Sequence, residues 1–127
     1  MTVQMKVVLS VGEVADKLTI LQIKADRIRD PEKLRNVHAE LLSLQKIWRA
    51  ENLETDALHT LVSVLKGINE SLWDIEDGVR AHEARGDFGG AFVALARGVY
   101  QINDERARIK KEINVLTGSV FVEEKSY

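Results

Sequence analysis

Residues 58–116, LHTLVSVLKGINESLWDIEDGVRAHEARGDFGGAFVALARGVYQINDERARIKKEINVL, decide the fold. Leu58, Leu61, Leu65, Ile68, Leu72, Ile75 and Val79 recur at spacings of three and four. After Gly86 and Asp87 the beat resumes with Phe92, Leu95, Val99, Ile102, Ile109, Ile113 and Leu116. That spacing lines one side of an α-helix with apolar groups. The stretch therefore predicts two long amphipathic helices folded into an antiparallel hairpin. Gly86 is the expected left-handed residue that ends the first of them. Asp87 is expected to cap the second, whose first turn Gly89 and Gly90 weaken.

Toward the N-terminus the pattern changes twice. Thr2 to Leu9 alternates, with Val3, Met5, Val7 and Leu9 on one side, which predicts a strand. Ser10 and Glu13 have the spacing of a capping box. A helix should follow over about Val11 to Arg29, with Val14, Leu18, Leu21, Ala25 and Ile28 as its buried stripe. Asp30-Pro31 restarts the chain as N-cap and first-turn proline. The next helix buries Leu34, Val37, Leu41, Leu44 and Trp48 and loosens near Glu51. At the other end, Val120 to Val122 reads as a short strand expected to pair with the first. The expected architecture is mainly α: a four-helix antiparallel bundle built on a long helical hairpin, with short terminal β-strands, as a single helical domain over residues 1–127.

Composition narrows the classes. The chain has 127 residues, 45% hydrophobic and 30% charged, a formal net charge of −2 and no cysteine. Such a chain can bury a core of its own. The slight acidity argues against a nucleic-acid partner, which selects a basic stripe. Without cysteine there are no disulfides, thiolate ligands or thiol nucleophile. No apolar run reaches the roughly 20 residues of a membrane span, and the first residues lack a signal peptide's apolar core. The expectation is a cytoplasmic protein with no membrane partner.

Chemistry-bearing residues fall into four sets. Glu13, Lys17, Lys24 and Arg27 run along the first helix with Asp16 beside them; Glu13 and Lys17 have the spacing of a helical ion pair. Glu70, Asp74 and Asp77 lie at i, i+4 and i+7, in one acidic arc of the third helix. Converging carboxylates can hold a hard cation. The arc, with Glu13 and Asp16 opposite, is similar to the facing acidic pairs of all-α nucleotide pyrophosphohydrolases, but their doubled Glu-Glu motif is missing. Arg106 sits in the apolar register between Ile102 and Ile109, so it needs a partner. A hairpin turning near Asp87 puts Glu70 within its reach. Trp48 and Trp73 read as core or interface anchors. His38, His59 and His82 form no metal motif; there is no Gly-rich phosphate loop and no nucleophile elbow. No cofactor or metal is called for.

The last set lies where the hairpin outruns the shorter helices. The first two helices have about 20 residues and the last two about 30, a mismatch of roughly 15 Å. The exposed tip carries Phe88, Phe92 and Leu95, the expected anchors of a homodimer. The tail, Glu123, Glu124, Lys125, Ser126 and Tyr127, is the remaining candidate, as a recognition element.

Several blocks together carry a resemblance. They are Val11-Gly12-Glu13, Asp16-Lys17-Leu18-Thr19-Ile20-Leu21, Ile23-Lys24, Asn69-Glu70, Leu72-Trp73-Asp74-Ile75-Glu76-Asp77, Gly86-Asp87-Phe88 and Glu123-Glu124-Lys125-Ser126-Tyr127. Through them the chain resembles a family of small bacterial proteins known as domain of unknown function 6165. That resemblance brings no activity; it directs attention to Asp16, Lys17, Lys24, Glu70, Asp74, Asp77 and the tail. The expected function is a non-enzymatic helical interaction or oligomerisation protein, a homodimer with a possible protein partner. The rival is a small all-α metal-dependent hydrolase or anion- or nucleotide-binding protein. It would use the acidic stripe with Lys17, Lys24 or Arg106.

Overall fold

A computed structural model describes residues 2–126 and contains four helices: α1 (Val11–Arg27), α2 (Pro31–Glu51), α3 (Asp56–Arg85) and α4 (Gly90–Thr117). Their boundaries follow local chemistry. The Ser10 hydroxyl accepts from the Glu13 amide at 3.1 Å and starts α1. Asp30 accepts from the Glu32 amide at 2.9 Å, ahead of Pro31, and starts α2. Thr55 accepts from the Leu58 amide at 3.2 Å and starts α3. Gly86 ends α3 in the left-handed region, φ +66°, where a side chain would be strained.

The expected hairpin is α3 packed against α4. α1 lies in the groove between them, parallel to α3 and antiparallel to α4, and also packs against α2. Helix α2 lies along α1 alone and buries only Val37 fully. Its far end reaches further: Trp48 and Leu53 pack against the core of Ala15, Leu58, Leu65, Ile109 and Ile113. The central place of α1 explains a shortfall in the predicted stripe. Leu18 and Leu21 are buried as expected, but so are Ala15, Asp16, Thr19 and Ile23. A helix with neighbours on three sides buries more than one face.

Two expectations at the termini are corrected. Neither Thr2 to Leu9 nor Val120 to Val122 forms a strand, and among the described residues no backbone hydrogen bond joins them. Both are irregular and largely exposed; Val120 and Phe121 form a bend, and Val3 and Val120 keep over four-fifths of their surface. Alternation makes a strand only where a ladder partner lies alongside. The nearest tie between these ends is the Ser119 hydroxyl, which accepts from the Val11 amide at 3.1 Å. Two smaller corrections concern helix ends. α1 stops at Arg27 rather than Arg29, because Ile28 is already extended before Asp30-Pro31. The N-cap of α4 is Gly89, not Asp87; Asp87 instead accepts from the Gly89 amide at 3.2 Å inside the turn.

Close approach of α1 to α4 depends on one glycine. A Cβ on Gly12 would stand 2.5 Å from the Lys110 carbonyl oxygen, which is backbone and cannot turn aside. Gly67, in the middle of α3, faces open space. Chemical denaturation should therefore give opposite signs for the same substitution. Gly12→Ala is expected to cost about 1–3 kcal/mol through overpacking. Gly67→Ala is expected to stabilise by about 0.5–1 kcal/mol through helix propensity.

Candidate functional site

Three polar residues spaced four apart, Arg106, Lys110 and Asn114, form a line along α4. Each meets α1. The guanidinium of Arg106 grips the Asp16 carboxylate in a two-point contact. Its Nε donates to Oδ1 at 2.9 Å and its Nη2 donates to Oδ2. Lys110 Nζ pairs with Glu13 Oε2 at 2.8 Å. The Asn114 side-chain oxygen accepts from the Gly12 amide at 2.6 Å. Helix α3 completes the centre: Asn69 Nδ2 donates to Asp16 Oδ1 at 2.9 Å and to the Thr19 hydroxyl at 3.0 Å. The Thr19 hydroxyl in turn donates to the Asp16 carbonyl at 2.9 Å. Asp16 is 1% exposed, Asn69 5% and Lys110 7%, so the seam is interior.

Electrostatics follows from this geometry. Burial alone would raise the Asp16 carboxyl. Hydrogen bonds from Arg106 and Asn69, with the charges of Arg106 and Lys110, outweigh it and hold the group below the ordinary aspartate range. Arg106 is raised by its hydrogen bond to Asp16 against the opposing effect of burial. Burial lowers Lys110, but the Glu13 contact and the charges of Asp16, Glu13 and Glu123 together raise it. Asp16 thus contributes stability in full above the unfolded carboxylate range, and that share is lost as pH falls through its folded value.

Two shallow clefts open on this seam and share Asn103 and Arg106. The first, about 330 Å3, is lined by Ile20, Ile23 and Lys24 of α1, Asn69, Leu72, Trp73 and Glu76 of α3, and the shared pair. The second, about 250 Å3, adds Ala107, Lys110, Glu123 and Lys125. The tail lies back along α4 and forms the second cleft's outer wall. Glu123 reaches Lys110 at 3.3 Å, Glu124 reaches Lys111 at 3.2 Å, and Lys125 reaches Asp104 at 2.8 Å.

The predicted site residues are only partly brought together. Asp16 and Arg106 meet, and Lys24 lines the cleft beside them. Arg106 does not pair with Glu70, as expected from the hairpin register alone. α1 inserts Asp16 between the two long helices and reaches the guanidinium first. Glu13 turns to Lys110 across the helix interface rather than to Lys17 along its own helix, and Lys17 is exposed. The acidic arc disperses: Asp74 pairs with Arg27 at 2.5 Å, and Asp77 is exposed. Among the described residues no group of three or more His, Asp or Glu side chains is gathered to hold a metal ion. Phe88, Phe92 and Leu95 do lie at the hairpin tip, where Phe88 and Phe92 meet edge to face at 5.3 Å. Of the tail, Glu123, Glu124 and Lys125 form ion pairs with α4, Ser126 is exposed, and Tyr127 lies outside the described residues.

Sequence reasoning passed over Asn69, Asn103, Lys110 and Asn114 as site members. The four-residue spacing from Arg106 through Lys110 to Asn114 was the available signal. Asn69, four residues beyond the buried Leu65, was another.

The chain belongs to a family of unknown function, DUF6165, whose profile matches residues 5–127. No curated protein and no solved structure matches it. No described helix is long and apolar enough to cross a membrane.

A double-mutant cycle should expose the pair. Asp16→Leu and Arg106→Met, taken singly, each strand a charge and are expected to cost about 3–5 kcal/mol. The double variant should recover much of that loss, since an apolar pair of similar size replaces both charges. Additive losses in urea denaturation would refute the coupling.

Proposed function

We propose that this member of the family works as a non-enzymatic helical interaction protein, and that its first partner is a second copy of itself. The observation that carries the reading is uncovered surface. The chain exposes 8771 Å2. A compact monomer of its mass exposes about 6800 Å2. The excess is about 2000 Å2 on one chain, and a standard stable interface covers about 800 Å2 of each partner.

Much of the exposed apolar surface belongs to the terminal segments, Val3 to Leu9 and Val120 to Val122, and a separate part lies at the hairpin tip. α3 has 30 residues and α1 has 17, so α1 covers little more than half of the hairpin's length. Its last ion pair to α3 is Arg27 with Asp74. Beyond it only α3 and α4 face each other, and a two-helix layer leaves apolar side chains without cover. Phe88 is 54% exposed and Val93 49%, beside the half-buried Phe92 and Leu95. The Phe88 and Phe92 rings hold each other edge to face, and His82 packs on Phe92 with ring centroids 6.4 Å apart. Aromatic anchors already held in one orientation lose little freedom on docking. A two-fold contact between tips would bury the same residues of both copies against one another. The polar seam serves this reading by keeping α3 and α4 in fixed register, so that the tip is presented as one rigid surface.

Multi-angle light scattering tests it. The wild type is expected to run as a dimer at micromolar concentration, and Phe88→Asp as a folded monomer with unchanged helical circular dichroism. A wild type that stays monomeric at high concentration contradicts the proposal.

A further inference from the structure

The cleft on the α1 side of Arg106 has features that self-association does not use. Lys24 is half-buried on its wall, yet its ammonium makes no hydrogen bond or ion pair with any described residue. An ammonium without a partner keeps its donors for an anion beside it. Arg106 lies deeper. Its Nε and Nη2 are taken by Asp16, while Nη1 has only a long contact of 3.4 Å to Asn103 Oδ1. A guanidinium has more N–H donors than those contacts absorb. Its side chain keeps 28% of its surface, shared between the two clefts. The donor is therefore rigid, charged and still open.

Ile20, Ile23, Leu72 and Trp73 form the apolar part of the wall, and Asn69, Glu76 and Asn103 complete it. The Trp73 ring is held in place by Arg27, whose guanidinium lies 5.8 Å from the ring centre and is itself pinned by Asp74. A cleft of about 330 Å3 with one apolar wall and a few convergent polar groups fits a small organic molecule.

Charge selects the kind of anion. Arg106 is neutralised by Asp16, and Glu76 stands at the exposed rim. Lys24 and Glu76 both line the cleft but form no ion pair with each other, so the donors of the Lys24 ammonium remain open. From these observations we infer that the cleft binds a small carboxylate with a compact apolar or aromatic body. The carboxylate lies against Lys24 and the open edge of Arg106, and the body lies along Leu72 and Trp73. Asn103 offers an amide donor beside the same anion. The site is independent of the hairpin tip, so it stands or falls separately from the dimer.

The probe is phenylacetate, followed through the Trp73 indole signal in proton–nitrogen correlation spectra of the full chain. Three comparisons accompany it. The neutral isostere 2-phenylethanol lacks the charge, phenyl phosphate doubles it, and Lys24→Met removes the cation from a residue outside the buried pair. Phenylacetate is expected to shift the Trp73 signal saturably at millimolar concentration. Lys24→Met should weaken that binding about ten-fold or more, the loss of one charge-assisted hydrogen bond. Its melting temperature should match the wild type, and Lys24→Arg should restore the binding. Absence of a saturable shift overturns the site. An equal response to 2-phenylethanol, or unchanged binding in Lys24→Met, overturns the role of charge. Tighter binding of phenyl phosphate overturns the choice of a monoanion.

Discussion

A carboxylate that has lost its water must find its counter-charge inside the protein, and Asp16 finds it in Arg106. Ninety residues separate the two in sequence. Their contact is two-pronged and fixes both position and angle. Because Asp16 also accepts from Asn69, one side chain of α1 is tied to both α3 and α4. Shifting α1 by a turn along the groove would strand three buried polar groups at once. Apolar packing alone sets no such penalty, since one row of aliphatic side chains can replace another. The pair is thus better understood as fixing register than as adding stability, because desolvation offsets much of the attraction.

The neighbouring contacts repeat the same logic at four-residue intervals. Lys110 with Glu13 and Asn114 with the Gly12 amide extend the seam toward the start of α1. Gly12 lets the backbones close far enough for the last of these to form. The tail adds a second carboxylate, Glu123, to Lys110 from the other side. Core, seam and tail are therefore coupled around the lower half of the hairpin. The upper half, past Asp74, has none of these ties and ends in exposed aromatic side chains. This division separates a polar centre with small clefts from a tip where Phe88 and Val93 are exposed.

The four helices and their punctuation were legible because each rests on local chemistry. Ser10, Pro31 and Gly86 act on their own turns, and the long stripes of α3 and α4 repeat often enough to exclude other periods; the Thr55 cap of α3 was not read from the sequence. The site was legible only in part. Arg106 stood out as a charge in an apolar register, but its partner could not be chosen from two helices alone. The competitor came from α1, whose polar face at Asp16 and Thr19 looks solvated until three neighbours surround it. The terminal strands failed for the opposite reason. Val3, Met5, Val7 and Val120 to Val122 have strand-like alternation, yet a ladder is a property of two segments, and no pattern within one of them supplies the other.

The most direct test of this account is the ionisation of Asp16 itself, read from the side-chain carboxyl carbon in a pH titration by NMR. The account predicts that the group stays ionised through the ordinary aspartate range, near about pH 4. Its resonance should move only at lower pH, together with the loss of tertiary structure. A midpoint at or above the ordinary range, with the fold intact, would mean that the carboxylate is not held by Arg106 and would contradict the central claim.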